Sequence, residues 1–199
     1  MDTDPFWTLI TDSRRPGLSG DKRDAWLRDA LQSLPPEGIV HFQACLEHVT
    51  DDAFTWNLWA AADRIFGGWC SDDTFSSFQR WMIGLGRPVF EAAVHDPDAL
   101  AYAPEVLRLS GLPREAWGDH WPEWEALDHL APEAYEAVTG ASDDGASFYR
   151  ATTAFLDADR PYRLRPPAPS GSRWSVLDEP EAAKRLPQLS AMFPITGNA

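Results

Sequence analysis

The chain has 199 residues, 44% of them hydrophobic and 24% charged, with a net charge of −14 at pH 7. That length suits one globular domain, at most with an appendage, and the composition excludes disorder of the whole chain. Two cysteines exclude a disulfide framework, no apolar run is long enough for a bilayer, and residues 1–10 lack the basic and apolar regions of a secretion signal, so a soluble cytoplasmic protein is expected by elimination.

Helix signals dominate. Asp4 is placed to cap a first short helix carrying Phe6, Trp7 and Ile10, ending near Pro16-Gly17. Ser19 or Asp21 is placed to cap a second, with Trp26, Leu27, Ala30 and Leu34 at helical spacing. Pro35-Pro36 stops that helix and starts a third, whose Ile39, Phe42, Leu46 and Val49 form an apolar stripe. A fourth runs from about Thr55 to Phe66 and stops at Gly67-Gly68. Ser71 caps a fifth, with Asp72 and Asp73 in its first turn and Phe75, Phe78, Met82 and Leu85 as its buried stripe. Gly86 ends it, Pro88 opens a sixth, and Asp96-Pro97 closes that one. Short helices follow near 98–111, 113–119, 122–139 and 143–157. Residues 160–173 are rich in Pro and Arg and read as an extended connector before a last helix at about 180–193. Residues 173–177 are the single strand candidate. The fold class is therefore all-α, a compact multi-helix domain over residues 1–159, with 160–199 as connector and C-terminal helix packing on the same domain.

The segment 56–90 carries the most information. It combines Trp56, Leu58-Trp59 and Ala61-Ala62 with Gly67-Gly68, Ser71-Asp72-Asp73, Phe75, Phe78, Arg80-Trp81, Gly86-Arg87 and Val89-Phe90-Glu91. With Phe6-Trp7, Leu9-Ile10, Asp96-Pro97 and Leu100, and a tail of Arg185-Leu186-Pro187, Leu189 and Phe193, this pattern resembles a bacterial family of unknown function, numbered 4240. The resemblance covers residues 5–100 well and the remainder loosely. It implies a mostly helical, actinobacterial-type domain with no established reaction. Asn57 stands where the resemblance leads one to expect aspartate, and Asp63 where a bulkier uncharged residue is expected.

Three clusters are candidates for function. Asp73, Ser77, Arg80, Gly84 and Arg87 follow one another at steps of four and three, which keeps them near one face. Trp56 and Trp59 share a face of the preceding helix. If Gly67-Gly68 folds the two helices together, Trp56, Trp59, Asp72, Asp73, Arg80 and Arg87 line a cleft suited to a small anionic or planar ligand. The bland alternative makes Ser71-Asp72-Asp73 a helix cap and the tryptophans core. His41, Cys45 and His48 also share a face, but they border the apolar stripe of the third helix, and structural histidines account for them without a metal. Trp117, Trp121 and Trp124 sit in an acidic run suited to a basic partner or to an amphipathic helix.

No nucleophile elbow or phosphate loop is present, and Cys70, at a helix start, is the best thiol candidate. No residue is assigned to catalysis, and neither a cofactor nor a metal is implied. Residues 91–144 are strongly acidic, with Arg108 and Arg114 as their only arginines and no lysine. That charge disfavours nucleic acid and suits a basic protein partner. The leading expectation is a non-enzymatic binding or interaction module. The alternatives are an enzyme of unrecognised type with a Trp/Asp/Arg-lined pocket, and an acidic neutraliser of a basic protein.

Overall fold

A computed structural model describes residues 1–159 and 168–195. Every regular element among them is helical, and the only β-type pairing is an isolated bridge between Thr55 and Ser170. The fold is all-α. No described helix is long and apolar enough to cross a membrane. The helices gather into two units, each built from two separated pieces of chain: residues 1–51 with 124–167, and residues 52–123 with 168–199.

The first unit contains α1 (Asp4–Asp12), α2 (Asp21–Gln32), α3 (Pro36–Asp52, whose last residue falls at the boundary), α8 (Leu127–Thr139) and α9 (Ala146–Asp159). Phe6 of α1 packs edge-on against Trp7 and lies 5.0 Å from the Phe42 ring of α3. The apolar stripe foreseen for α3 is buried at Ile39, Phe42, Leu46 and Val49. Helix α8 packs along α2, and Arg28 of α2 reaches Glu133 of α8 at 2.8 Å. The Arg23 guanidinium lies 3.7 Å over the Trp124 ring, whose Nε1–H donates to Asp24 at 2.7 Å. Neither Ser19 nor Asp21 caps α2: its N-cap is Gly20, at φ 50, with no side-chain hydrogen bond. Helix α8 begins five residues later than the sequence suggests, because Pro122 falls in non-helical backbone after Trp121.

The second unit holds α4 (Trp56–Ile65), α5 (Asp72–Gly84), α6 (Arg87–His95), α7 (Pro104–Leu109), α10 (Glu179–Arg185) and α11 (Pro187–Met192). The helix foreseen at 98–111 divides into a 3₁₀ segment, Pro97–Tyr102, and α7, because Ala103 before Pro104 is extended. The one at 113–119 is two single 3₁₀ turns. The last helix splits into α10 and α11 at Leu186, for the same reason, before Pro187. Residues 173–177 form no strand. Of the proposed connector, residues 160–167 lie outside the described residues, and 168–173 are non-helical.

One buried carboxylate ties this unit together. Asp98 accepts the backbone N–H groups of Gln188, at 3.0 and 3.1 Å, and of Leu189, at 2.9 Å. Those amides open α11 and have no acceptor within it, so Asp98 caps α11 from ninety residues away in sequence. The Asp96-Pro97 piece and the Leu186-Pro187 tail thus meet at one set of hydrogen bonds.

Candidate functional site

Helix α4 starts at Thr55, whose Oγ1 accepts the Leu58 N–H at 3.1 Å. This start sets Trp56 and Trp59 side by side, with ring centroids 5.6 Å apart. Trp59 stacks on Phe75 of α5 at 4.4 Å, with planes 21° apart. The Gly67-Gly68 turn therefore does bring α4 and α5 together, through a stacked aromatic pair. Trp56 and Trp59 are each half-buried.

Trp56 is engaged by its own chain. The Ser170 N–H donates to Phe54 O, and the Trp56 N–H donates to Ser170 O, both at 2.9 Å. The Arg173 guanidinium then lies 4.9 Å from the centre of the Trp56 ring. The Trp174 Nε1–H donates to Asn57 Oδ1 at 3.1 Å, and Arg185 covers the Trp174 ring at 5.2 Å. Residues 170–174 form a strap across the start of α4. Asn57, the departure at the expected aspartate, is one of its anchors.

The remaining four candidates are dispersed in role. Asp72 and Asp73 are exposed in the first turn of α5, which Ser71 caps by accepting the Thr74 N–H at 3.1 Å. Arg80 is half-buried further along α5. Arg87, at the start of α6, pairs with Glu91 at 2.6 Å, both side chains being about half exposed. A pair so exposed contributes at most about 1 kcal/mol.

Cys70 does not have the environment of a nucleophile. Burial pushes its thiol far above the ordinary range, and the charge and hydrogen bond of Asp63 and the charge of Asp72 add to the effect. These outweigh the helix dipole that favoured it in the sequence. Asp63 is itself pushed up by burial, although its Oδ1 accepts the Cys70 N–H at 2.7 Å and Arg173 lies near. On α3, Cys45 Sγ lies 3.8 Å from His41 Nδ1 and 3.7 Å from Asp2 O. Among the described residues no group of three or more His, Cys, Asp or Glu is placed to hold a metal ion.

The second unit also contains a site that the sequence reading passed over. Arg64 of α4 is only 1% exposed. Its Nη1 donates to Glu179 Oε1 at 2.8 Å and to Val176 O at 3.2 Å, and its Nη2 to Glu179 Oε2 at 3.1 Å and to Ser190 O at 3.0 Å. The fork on Glu179 neutralises its charge. Beside it opens a cavity of about 460 Å³. Arg64, Arg114, Glu115 and Trp117 are its polar-bearing walls, with Ile65, Leu112, Pro113, Met192 and Phe193 as apolar ones. Gly67, at φ +81, matters here: any Cβ would overlap the Arg114 guanidinium, which lies against the glycine. One signal for Arg64 was legible. It follows Ala61 by three residues and precedes Ile65, which places a charge inside the buried stripe of α4. Trp117 stands in the sequence as one of the set Trp117, Trp121 and Trp124, read as a partner surface or an amphipathic helix, and nothing in that pattern marks a cavity wall.

The family model described as "Protein of unknown function (DUF4240)" matches residues 1–137, beyond the 5–100 that carried the resemblance most clearly. No curated protein and no solved structure matches the chain.

Proposed function

The chain belongs to this family of unknown function, and we propose that it is a non-enzymatic binding module whose small ligand sits in the cavity of the second unit. One observation carries the reading: Arg64 and Trp117, two residues that line the cavity, each keep a buried N–H donor, Nε and Nε1, with no hydrogen-bond partner among the described residues. Buried donors are almost always paired, and small-molecule sites are clefts of about 300–1,000 Å³ with a few polar groups set in mostly apolar walls. The protonated state favoured for Cys70 supports binding over nucleophilic catalysis. The test is native mass spectrometry of the protein gently purified from its own host, beside a Leu112→Trp variant that fills the cavity. A bound mass present in the wild type and lost in the variant is expected. A wild-type spectrum with no bound mass, together with no melting shift across a metabolite library, defeats the reading.

A second reading, a protein-interaction face, is favoured by the strap. Residues 170–174 show how an extended segment seats on the Phe54–Trp59 edge: backbone pairing, an arginine on Trp56 and a polar contact to Asn57. A partner's arginine-bearing segment would take the same place. Trp56, Trp59, Asp72, Asp73, Arg80 and Arg87 belong to this reading, since exposed Asp72 and Asp73 suit a basic partner. Association with an arginine-rich peptide that weakens with salt and is lost in Trp56→Ala is expected. Salt-independent association, or none, goes against it.

A further inference from the structure

We infer that residues 170–174 are a built-in competitor, seated where an extended, arginine-bearing segment of a partner protein binds; this rests on the Phe54–Trp59 edge being an interaction face. The seated segment displays the chemistry of the occupant. Thr55 and Ser170 form a single parallel bridge, through the Ser170 N–H on Phe54 O and the Trp56 N–H on Ser170 O, both at 2.9 Å. These bonds join main-chain atoms, so any extended segment can make them. Arg173 holds its guanidinium carbon 4.9 Å from the centre of the Trp56 ring, and its charge acts on Asp63 of the same helix, α4. A planar guanidinium suits an indole face, and a chain of net charge −14 draws basic segments. Trp174 adds its indole N–H to Asn57 Oδ1 at 3.1 Å.

The same contacts leave the segment easy to release. Residues 170–173 are all exposed, so none of their side chains is held by burial. Hydrogen bonds and a cation–π contact at such a surface open locally, without unfolding the elements beneath them. The fixed point beyond the strap is Val176, 2% exposed, whose carbonyl accepts from buried Arg64. Between Ser170 and Val176 stands Gly171, at φ +83, where an added Cβ would meet nothing within 4 Å. Glycine is there for its conformation and not for space. A side chain at that φ strains the seated strap and touches no atom of the Trp56 face. Alanine at this position therefore loosens the strap without altering what lies under it. A partner segment gains affinity in proportion to the fraction of time that the strap is away.

The experiment uses the full chain and a fluorescein-labelled, end-blocked peptide with the sequence of residues 168–175, followed by anisotropy. The peptide is expected to bind Gly171→Ala about tenfold more tightly than the wild type, because the strap stands aside more often. Arg173→Ala in the protein should strengthen binding by about fivefold, and Trp56→Ala should abolish it. A peptide that itself carries Arg173→Ala should bind about fivefold more weakly. Hydrogen exchange separates release of the strap from weakening of the unit. In Gly171→Ala the Trp56 amide should exchange about tenfold faster, while the Phe66 amide, bonded to Ala62 O at the far end of α4, keeps its wild-type rate. Equal affinity of wild type, Gly171→Ala and Arg173→Ala, lost in Trp56→Ala, overturns the competitor while leaving the edge an interaction face. No binding by any of these proteins removes both. A Phe66 amide accelerated as much as that of Trp56 makes the strap part of the unit's framework and overturns its release. A peptide no weaker for losing its arginine overturns the arginine assignment.

Discussion

Replacing Asp98 with alanine tests how the second unit is held closed. The Asp98 side chain is 7% exposed and gives the first amides of α11 their acceptor. Removing it strands two backbone donors, those of Gln188 and Leu189. Loss of an ordinary cap costs about 1–2 kcal/mol, and a charge-assisted hydrogen bond contributes about 1.5–3 kcal/mol. For two amides on one carboxylate the cost is therefore about 2–4 kcal/mol. In a chain of this length each kcal/mol lowers the melting temperature by about 2–4 °C, giving a fall of about 4–16 °C. Asp98→Asn keeps one acceptor oxygen and should lose about half as much. Calorimetry gives the melting shifts. Hydrogen exchange locates the loss, since the amides of Gln188 and Leu189 should lose protection before the rest of the unit does. If Asp98→Ala melts within about 1 °C of the wild type, or protection falls everywhere but at those amides, the capping argument is wrong.

Ser71→Ala should cost about 1 kcal/mol by urea unfolding, because it removes the acceptor for the Thr74 N–H. Glu179 is held below the ordinary carboxylate range, first by its hydrogen bond to Arg64 and then by that residue's charge. A depressed folded value contributes stability above the unfolded value of 4.5 and loses it as pH falls through the folded one. Unfolding midpoints of wild type and Glu179→Gln should therefore differ most near neutral pH and converge as the solution is acidified well below that value. Cys70, with its thiol pushed up by burial and then by Asp63, should react with a disulfide reagent far more slowly than a free cysteine at mildly alkaline pH. Fast labelling of Cys70 in the folded protein, with Cys45 replaced by alanine, would contradict that.

The parts of the fold that were legible in the sequence are those decided within one or two turns of chain. Ser71 lies ahead of a carboxylate pair and an apolar stripe, and local hydrogen bonding suffices to start α5 there. Gly67-Gly68 likewise ends α4, although the Arg114 guanidinium packed on Gly67 is a second reason for glycine that no local pattern contains. Boundaries went astray where proline acts on the residue before it, at Ala103 and Leu186. The pairing of α2 with α8 was not legible, because Arg28 and Glu133 are 105 residues apart and each resembles any solvent-facing charge. The candidate site divides in the same way. That Trp56 and Trp59 lie together follows from helical spacing, whereas the strap over Trp56 depends on residues more than a hundred positions away.

The residues from 176 onward lie beyond the stretch matched by the family model, yet two buried charges within that stretch are completed by them. Arg64 needs Glu179 and the carbonyls of Val176 and Ser190, and Asp98 needs the amides of Gln188 and Leu189. A chain ended after Asp159 keeps the sequence of every helix from α1 to α9 but takes from Arg64 its counter-charge and two carbonyl acceptors. It also loses the apolar contacts of Leu186 and Leu189, both buried. Against a total stability of about 5–15 kcal/mol, losing these buried contacts together is enough to loosen the second unit. The truncated chain should keep most of its far-ultraviolet helical signal and lose the near-ultraviolet signal of the packed tryptophans, Trp59 and Trp117 among them. A truncated chain whose near-ultraviolet spectrum and melting match the full protein would show that α10 and α11 rest on a unit already closed without them.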